Sequence, residues 1–345
     1  PVLYVSGEES SQQIKLRAER LGIVGQGLHV LAETDMATIL HHLGTISPTV
    51  AIIDSIQSVA FSDQPTGPGT IGQVRECGLA FLRWAKASGT PTFITGHVTK
   101  EGNLAGPRTL EHMVDVVLYL EGSNLGSYRL LRGEKNRFGA THEVGVFEMR
   151  DKGLVEVLNP SEVALASRDR NAVGSVVVPV MEGTRPLLVE IQALTTPSSL
   201  PTPRRVANGV DMSRLLMVIA VLVKRAGVHL HGQDIIVNVA GGFRAMEPAV
   251  DLGIALALAS SLRNVPLLDG MAVLGEIGLG GELRNISQLP RRLAELQHMG
   301  FDSCLGPESA FQALEVPLRM STLGARTLDE GLSLAFPSQR RRSAV

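Results

Sequence analysis

Residues Val50-Ala51-Ile52-Ile53-Asp54 are four apolar residues followed by one carboxylate. An uninterrupted apolar run of this length is typical of a strand that is covered on both faces, as in a parallel sheet. The carboxylate then lies at the carboxyl edge of the sheet, where open α/β folds bind their ligands. Asp54 is therefore a candidate ligand-binding residue, although apolar strands that end in aspartate also occur without a site.

Similar apolar segments alternate with helical patterns on both sides of this strand. The predicted strands are Val2–Ser6, Leu28–Leu31, Val50–Asp54, Thr92–Gly96 and Val116–Leu120, and the predicted helices are Ser11–Leu21, Met36–Leu43 and Gly72–Ser88. This alternation predicts a mostly parallel α/β sheet. Tyr128–Arg132 and Gly145–Met149 flank the turn segment Asn136–Gly139 and are predicted to form a closing hairpin.

The second half of the chain has a different, α+β pattern. Ser175–Met181 and Leu187–Ala193 are predicted to pair across a turn at 182–184. The further predicted elements are the helices Ser213–Ala226, Pro248–Leu262 and Leu289–Met299 and the strands Asp234–Val239 and Gly270–Ile277. We therefore predict a first domain at 1–155, an irregular linker at 156–172, a second domain at 173–335 and a basic tail at 336–345.

The composition sets limits on the class of protein. The chain has 345 residues, 44% of them hydrophobic, and a net charge of −2, so any nucleic-acid surface must be a local patch. The two cysteines, Cys77 and Cys304, are far apart and predict neither a disulfide framework nor a zinc site. No secretory signal opens the chain, and its apolar runs fall short of the roughly 20 residues that span a bilayer. We expect a cytoplasmic protein without a membrane partner.

Two further segments carry charged side chains at predicted strand ends. Glu8 and Glu9 follow the first strand and precede a helix, so they either stabilise the helix N-terminus or supply a general base that activates water. Lys135 and Arg137 lie in the turn Lys135-Asn136-Arg137-Phe138-Gly139, called the KNRFG turn below. These two cations are either solvated in an exposed hairpin or neutralise phosphate charge in a neighbouring subunit.

Together, four stretches resemble the RadA (Sms) family, a branch of the RecA superfamily that acts in bacterial DNA repair. They are YVSGEESSQQIKLRAERLGI at 4–23, AIIDSIQS at 51–58, GHVTKEGNLAGPRTLEHMVDVVLYLEG at 96–122 and the KNRFG turn. The resemblance runs from Pro1 to about Gly306. It implies a RecA-like core followed by a domain similar to the C-terminal domain of Lon protease.

The resemblance also implies roles for the candidate residues. Glu8 and Glu9 lie at the catalytic-glutamate position, Asp54 is the Walker B acid that holds Mg²⁺, and His97 lies where a polar side chain senses the γ-phosphate of ATP. Lys135 and Arg137 correspond to cations that reach across to a neighbouring subunit's nucleotide. The implied cofactors are ATP and Mg²⁺.

DNA contacts are implied on two loops and on the second domain. The loops are Ser62–Thr70 and Thr99–Glu111, and the second of them carries Lys100 and Arg108. In the second domain the candidate DNA-binding residues are Arg204, Arg205, Lys224 and Arg225. Spaced cations on flexible loops suit contact with a single strand's backbone. The alternative interpretation is an ordinary surface loop and a solvated helix face.

The sequence departs from the family pattern in two places. It contains no GxxxxGK(S/T) motif, so we expect the phosphate-binding loop, and the family's four-cysteine Zn²⁺ finger, to lie upstream of Pro1. The chain alone is then expected not to hydrolyse ATP. In the second domain Ala249 and Pro290 occupy the positions of the Lon serine nucleophile and lysine base, so serine–lysine acyl chemistry has no carrier.

The function that this resemblance implies is a DNA-dependent ATPase of repair and homologous recombination, which drives branch migration on single-stranded or branched DNA. Its expected partners are further copies of the chain in a hexameric ring and the RecA recombinase. Two alternatives remain: a RecA-fold regulatory ATPase that acts on proteins, and a Lon-like peptidase, against which Ala249 and Pro290 argue.

Overall fold

The computed structural model describes residues 1–97, 106–122, 128–141, 143–314 and 319–336, with the backbone alone at 106–108. The chain divides into two compact units. Unit 1 comprises 1–119, 132–141 and 149–155, and unit 2 comprises 120–131, 142–148 and 156–345.

Unit 1 is built on a four-stranded sheet with the order β2-β1-β3-β4, in which every neighbouring pair is parallel. Its strands are β1 (Val2–Ser6), β2 (Leu28–Ala32), β3 (Val50–Asp54) and β4 (Thr92–Ile94). In this register Ser6 lies opposite both Ala32 and Asp54. The carboxyl ends of these strands therefore meet at one edge, and the predicted parallel α/β core is confirmed.

The helices of unit 1 begin where the sequence supplies caps. They are α1 (Ser11–Arg20), α2 (Met36–Ile46), α3 (Ile71–Ser88) and α4 (Gly106–Glu111). Ser10 and Gln13 form a capping box at the start of α1, and the Asp35 carboxylate accepts from the Thr38 N–H at the start of α2. Each cap satisfies a backbone N–H that has no partner within its helix.

A second, four-stranded sheet has the order β5-β6-β7-β8. They are β5 (Val116–Gly122), β6 (Tyr128–Asn136), β7 (Val144–Arg150) and β8 (Gly153–Glu156). The predicted pairing of Tyr128–Arg132 with Gly145–Met149 is confirmed. The assignment of Val116–Leu120 to the parallel sheet is wrong, because its strand pairs with β6 across the connection 123–127. A parallel crossover needs a dozen or more residues, so a connection this short joins neighbouring antiparallel strands.

The segment 156–172, predicted to be irregular, contains a helix, α5 (Pro160–Leu165). Its first residue is proline, whose fixed φ suits a helix start, and the Asn159 side chain accepts from the Glu162 N–H. The buried Ser161 hydroxyl donates to Glu295 Oε1 at 2.5 Å and accepts from the Leu188 N–H at 3.1 Å. These hydrogen bonds fix α5 within unit 2.

Unit 2 is built on a seven-stranded mixed sheet with the order β11-β12-β10-β9-β13-β16-β17. The strands are β9 (Ser175–Glu182), β10 (Arg185–Pro197), β11 (Arg205–Asn208), β12 (Gln233–Val239), β13 (Met271–Val273), β16 (Ser303–Pro307) and β17 (Ser321–Ala325), with a separate hairpin of β14 (Glu276–Ile277) and β15 (Leu283–Arg284). The predicted pairing of β9 with β10 is confirmed and antiparallel. The predicted strand Gly270–Ile277 is divided into β13 and β14 at Gly275, whose φ of +152° favours glycine.

The helices of unit 2 are α6 (Met212–Arg225), α7 (Asp251–Arg263), α8 (Leu289–His298), α9 (Glu308–Gln312) and α10 (Leu328–Ala335). Helix α7 is buried from Asp251 to Ser260 and packs against β9 and β10. It begins later than predicted, because residues Pro248–Val250 form a separate 3₁₀ turn. Across the described residues, no helix is both long enough and apolar enough to cross a membrane.

Gly174 should be intolerant of any side chain. Its φ is +76°, and a Cβ there would lie 2.3 Å from the backbone oxygen of Ala193. We expect Gly174→Ala to lower the free energy of unfolding by about 2–5 kcal/mol, the sum of the left-handed conformation and the overlap. Gly227→Ala is the matched control, because Gly227 has φ +64° but nothing within 4 Å of its Cβ position. Urea denaturation of both variants measures the difference, and equal losses would contradict the packing explanation.

Candidate functional site

Glu8 lies at the carboxyl edge of the parallel sheet beside a buried serine. The Ser55 hydroxyl donates to Glu8 Oε1 at 2.6 Å, and His97 Nε2 lies 3.3 Å from the same oxygen. Ser55 follows β3 directly and is fully buried, and His97 follows β4. Side chains after three neighbouring strands, β1, β3 and β4, thus converge on one carboxylate oxygen.

The Asp54 carboxylate is held from both sides of its strand. The Tyr4 hydroxyl of β1 donates to Oδ2, and the Thr95 hydroxyl after β4 donates to Oδ1 at 2.7 Å. Burial raises the pKa of Tyr4, and the hydrogen bond to Asp54 raises it further, so the phenol keeps its proton and remains a donor. Asp54 is therefore fixed in direction as an oxygen acceptor.

Gly7 permits the close approach of the β1 end to the β3 end. A Cβ at this position would lie 2.0 Å from Ser58 Oγ, and the Gly7 N–H donates to the Asp54 carbonyl at 2.9 Å. The peptide bond between Asp54 and Ser55 is cis. Any larger residue at position 7 would push Glu8 away from Ser55.

Glu9, the second carboxylate of the pair, points to different partners. Its Oε1 accepts from Arg17 Nη2 of α1, and its backbone N–H donates to the Ser6 hydroxyl at 3.0 Å. The two adjacent glutamates therefore differ: Glu8 faces the sheet edge, and Glu9 pairs with Arg17 near the end of α1.

The donor set at the sheet edge fits Mg²⁺ held jointly with a nucleotide. Among the described residues, no three His, Cys, Asp or Glu side chains group as a metal site. Mg²⁺ is commonly held by one or two carboxylates together with substrate phosphates and water, and Asp54 supplies one such carboxylate.

Both cysteines are buried thiols, and burial raises the pKa of Cys77 to about 11.

The KNRFG turn contacts the end of α4 rather than solvent alone. Lys135 Nζ donates to the carbonyl of Glu111 at 2.7 Å and lies 3.4 Å from that of His112. Arg137 Nη1 donates to Asp115 Oδ1 at 2.9 Å. Phe138 at the tip of the turn is 81% exposed. Both cations thus have partners on the protein, while the Arg137 side chain is also 54% exposed.

Of the two predicted DNA loops, only the first lies wholly among the described residues. Lys100 and the side chain of Arg108 lie outside them, as does the basic run Arg340–Arg342. The loop Ser62–Thr70 contains Asp63 and no lysine or arginine. Any contact that it makes with DNA therefore has to use uncharged groups.

Buried polar side chains hold the base of this loop. The Gln73 amide donates to the carbonyls of Phe61 and Thr66 at 3.2 and 2.9 Å, and its oxygen accepts from the Phe61 N–H at 3.0 Å. The Ser62 hydroxyl donates to Asp35, and this bond, with those from Thr38, lowers the pKa of Asp35 to about 2. The buried Gln73 and the partly buried Asp35 thus anchor the loop at its start and at Thr66.

The four candidate cations of unit 2 lie near the beginning of β12. Arg205 is opposite Ile235 of β12, and α6 ends with Lys224 and Arg225, a short connection before β12 begins. Arg204 N–H donates to Asp234 at 2.7 Å, and Arg205 Nη1 donates to the carbonyl of Arg204 at 2.9 Å. Lys224 and Arg225 are exposed. Lys224 is the best placed of the four for a ligand, because Arg205 and Arg225 already donate to the carbonyls of Arg204 and Leu279.

An ion pair lies close in sequence to Ala249 and Pro290, the positions that the resemblance to Lon protease aligns with its nucleophile and base. Ala249 is buried in the 3₁₀ turn, and Pro290 is exposed in the first turn of α8. Two residues further, Arg292 is fully buried and binds both oxygens of Glu247 at 2.7 and 2.6 Å. It also donates to the carbonyls of Pro179 and Ser287. This place in the fold holds a satisfied structural ion pair, which the sequence alone did not indicate.

A second buried carboxylate begins α7. Asp251 accepts from Arg214 Nη1 at 2.9 and 2.8 Å and from the Ile277 N–H at 3.2 Å. Burial raises the pKa of Asp251 to about 6, although the bond from Arg214 opposes the shift. Arg214 also lines an open cavity of about 250 Å³ with the β14–β15 hairpin. The pair connects α6 to that hairpin.

Breaking the Glu247–Arg292 pair should destabilise unit 2. In Arg292→Met the Glu247 carboxylate is left without its counter-ion, and removal of one member of a buried pair costs about 3–5 kcal/mol. The exposed pair Arg284–Glu282 is the control, and Arg284→Met should cost less than about 1 kcal/mol. Urea denaturation compares them; a destabilisation by Arg292→Met as small as that of the control would contradict a structural role.

Comparison with known proteins identifies relatives along the whole chain. The DNA repair protein RadA of Halalkalibacterium halodurans is 50% identical over 335 residues, which cover 97% of this chain and 73% of the relative. The RadA proteins of Bacillus subtilis and Listeria monocytogenes are 48% and 47% identical, over 96% and 97% of this chain and 72% and 74% of their own lengths.

Two weaker likenesses accompany these relatives. The family description "Subunit ChlI of Mg-chelatase" matches residues 213–310, within unit 2. A KaiC-like protein of Pyrococcus horikoshii OT3 superimposes with a TM-score of 0.37 at 20% identity, over 46% of this chain and 75% of its own. The near-complete coverage at about half identity decides the family: this chain belongs to the RadA family of DNA repair proteins.

Proposed function

We propose that this protein is an ATP-driven motor that moves on single-stranded or branched DNA and promotes branch migration of recombination intermediates during repair. The observation that carries the proposal is the convergence of Glu8, Ser55 and His97 beside Asp54 at one sheet edge. A base, a metal-binding acid and a polar sensor are the parts that phosphoryl transfer to water requires.

In this mechanism Glu8 is the general base. The Ser55 hydroxyl donates to Oε1, so the carboxylate is oriented while it takes a proton from the water that attacks the γ-phosphate. Asp54 would hold Mg²⁺, which when bound neutralises charge on the phosphate oxygens. His97 is exposed enough to turn from Glu8 to the γ-phosphate, so it can report the presence of ATP to the chain that follows it.

The KNRFG turn supplies cations to a neighbouring subunit. Lys135 and Arg137 would neutralise the charge that develops on the phosphate of a nucleotide bound next door, which requires a ring of identical subunits. We propose a hexamer in the cytoplasm, with the RecA recombinase as a further partner. Unit 2 would act as the platform of this ring without peptidase activity, since neither Ala249 nor Pro290 can carry acyl transfer.

The variant Glu8→Gln of the native protein should distinguish the roles of Glu8 and Glu9. We expect kcat for DNA-stimulated ATP hydrolysis to fall about 10²–10⁴-fold, because the amide cannot accept the proton from water. Glu9→Gln should change kcat only a few-fold, since Glu9 is paired with Arg17. Steady-state ATPase assays measure both, with thermal melting to show that each variant is folded. A larger decrease in Glu9→Gln would transfer the base role to Glu9.

The DNA-contacting cations can be assigned by salt dependence. If Lys100 and Arg108 contact single-stranded DNA, their double alanine variant should bind more weakly and with a smaller salt slope, by about 0.7 counterion for each phosphate that is no longer neutralised. Lys224→Ala with Arg225→Ala tests unit 2 in the same way. Titrations of labelled single-stranded DNA at several salt concentrations compare the two variants. An unchanged affinity and slope would remove the corresponding pair from the DNA surface.

A further inference from the structure

The corner between α4 and β5, residues 110–115, holds both cations of the KNRFG turn. Lys135 donates to the carbonyl of Glu111, at the end of α4. Arg137 makes two hydrogen bonds to Asp115. Its backbone N–H donates to the Asp115 carbonyl at 3.0 Å, and its Nη1 donates to the carboxylate at 2.9 Å. The turn is therefore docked on this α4–β5 corner through backbone and side chain together.

The α4–β5 corner is itself well fixed within unit 1. Leu110 is buried in the core, and its carbonyl accepts from the N–H groups of Met113 and Val114 at 2.8 and 3.1 Å. Glu111 Oε1 accepts from the Tyr119 hydroxyl at 2.7 Å. Gly78 of α3 lies so close that a Cβ would be 2.3 Å from the Leu110 side chain. A rigid corner can hold the side chains that bind to it in a fixed orientation.

The Asp115–Arg137 pair is too exposed to serve mainly for stability. The side chains are 46% and 54% exposed, and solvent screens ion pairs in such positions so that they add little to stability. Among the described residues, the hydrogen bond to Asp115 uses only Nη1 of the guanidinium. The group has five donors in a rigid plane, so fixing one edge directs the others outward. The pair thus sets the orientation of a guanidinium whose side chain is 54% exposed.

We propose that Asp115 is a positioning residue for Arg137: it holds the guanidinium so that its outer edge meets the phosphate of a nucleotide bound by the neighbouring subunit. The inference rests on the proposed role of Arg137 as a cation that acts across the subunit interface. This role requires no contact of Asp115 with nucleotide or Mg²⁺. Its contribution is to the orientation of Arg137, and misplacing a catalytic group by about 1 Å can cost on the order of 10²-fold in rate.

The test is Asp115→Asn in the native protein, which keeps the size and the backbone carbonyl but removes the charge. We expect kcat for DNA-stimulated ATP hydrolysis to fall about 10-fold or more, with KM for ATP within about 2-fold and an unchanged melting temperature. In an Arg137→Gln background the same substitution should have no further effect, because the residue through which it acts is gone. Glu19→Gln, which breaks the exposed Lys15–Glu19 pair on α1, is the matched control.

A second readout needs no nucleotide. In the 345-residue chain, Asp115→Asn should speed tryptic cleavage after Arg137 several-fold, since a neutral amide holds the guanidinium against the α4–β5 corner less firmly than a carboxylate does. Cleavage after Arg17 on α1 is the internal reference, because Asp115 does not contact that helix. An unchanged rate at Arg137 would overturn the positioning role.

The outcomes separate the inference from the proposed function. If Arg137→Gln alone leaves turnover unchanged, the trans-acting role fails, and the positioning role fails with it. If Arg137→Gln lowers kcat but Asp115→Asn does not, the trans-acting role stands and the positioning role is overturned. If Asp115→Asn lowers kcat as much in the Arg137→Gln background as alone, Asp115 acts by another route, and the inference is again overturned.

Discussion

The parallel register of β1 and β3, with Ser6 opposite Asp54, is the constraint on which the candidate site depends. Because both strands run in the same direction and end level, the residues that follow them leave the sheet side by side. Gly7 completes this arrangement, since a side chain there would overlap Ser58. A shift of one residue in the register would turn every side chain of the strand to the opposite face and separate Glu8 from Ser55.

The buried hydroxyl of Ser55 links this strand register to the orientation of the Glu8 carboxylate. Ser55 has no access to solvent, so its O–H must find an acceptor within the protein, and Glu8 Oε1 is that acceptor. The energy that favours a satisfied buried hydroxyl therefore also orients the carboxylate. Preorganisation of this kind lowers the reorganisation that a reaction would otherwise need. The adjacent Glu9 is paired with Arg17 instead and does not receive this hydrogen bond.

The sequence predicted the parts of the fold and site that depend on local patterns. The apolar strands that end in Asp54 and Ser6 and the capped helices between them follow from short-range periodicity. It did not predict the sheet to which Val116–Leu120 belongs, because pairing depends on the length of the next connection. Tyr4, Thr95 and Ser55 carry no motif of their own, and their roles appear only when three strands are side by side. Arg292 belongs to no sequence motif, and its burial against Glu247 appears only in the structure.

Some cations of unit 2 are already paired with carboxylates and others are exposed, and this difference limits which of them can bind DNA. Arg292 and Arg214 already bind carboxylates within unit 2, so removing them from those partners would cost more than a phosphate contact returns. Lys224 and Arg225 are exposed and carry no such cost. With a net charge of −2, the chain has no general attraction for a polyanion, and binding must come from a few local cations. Binding through few phosphate contacts has a shallow salt dependence.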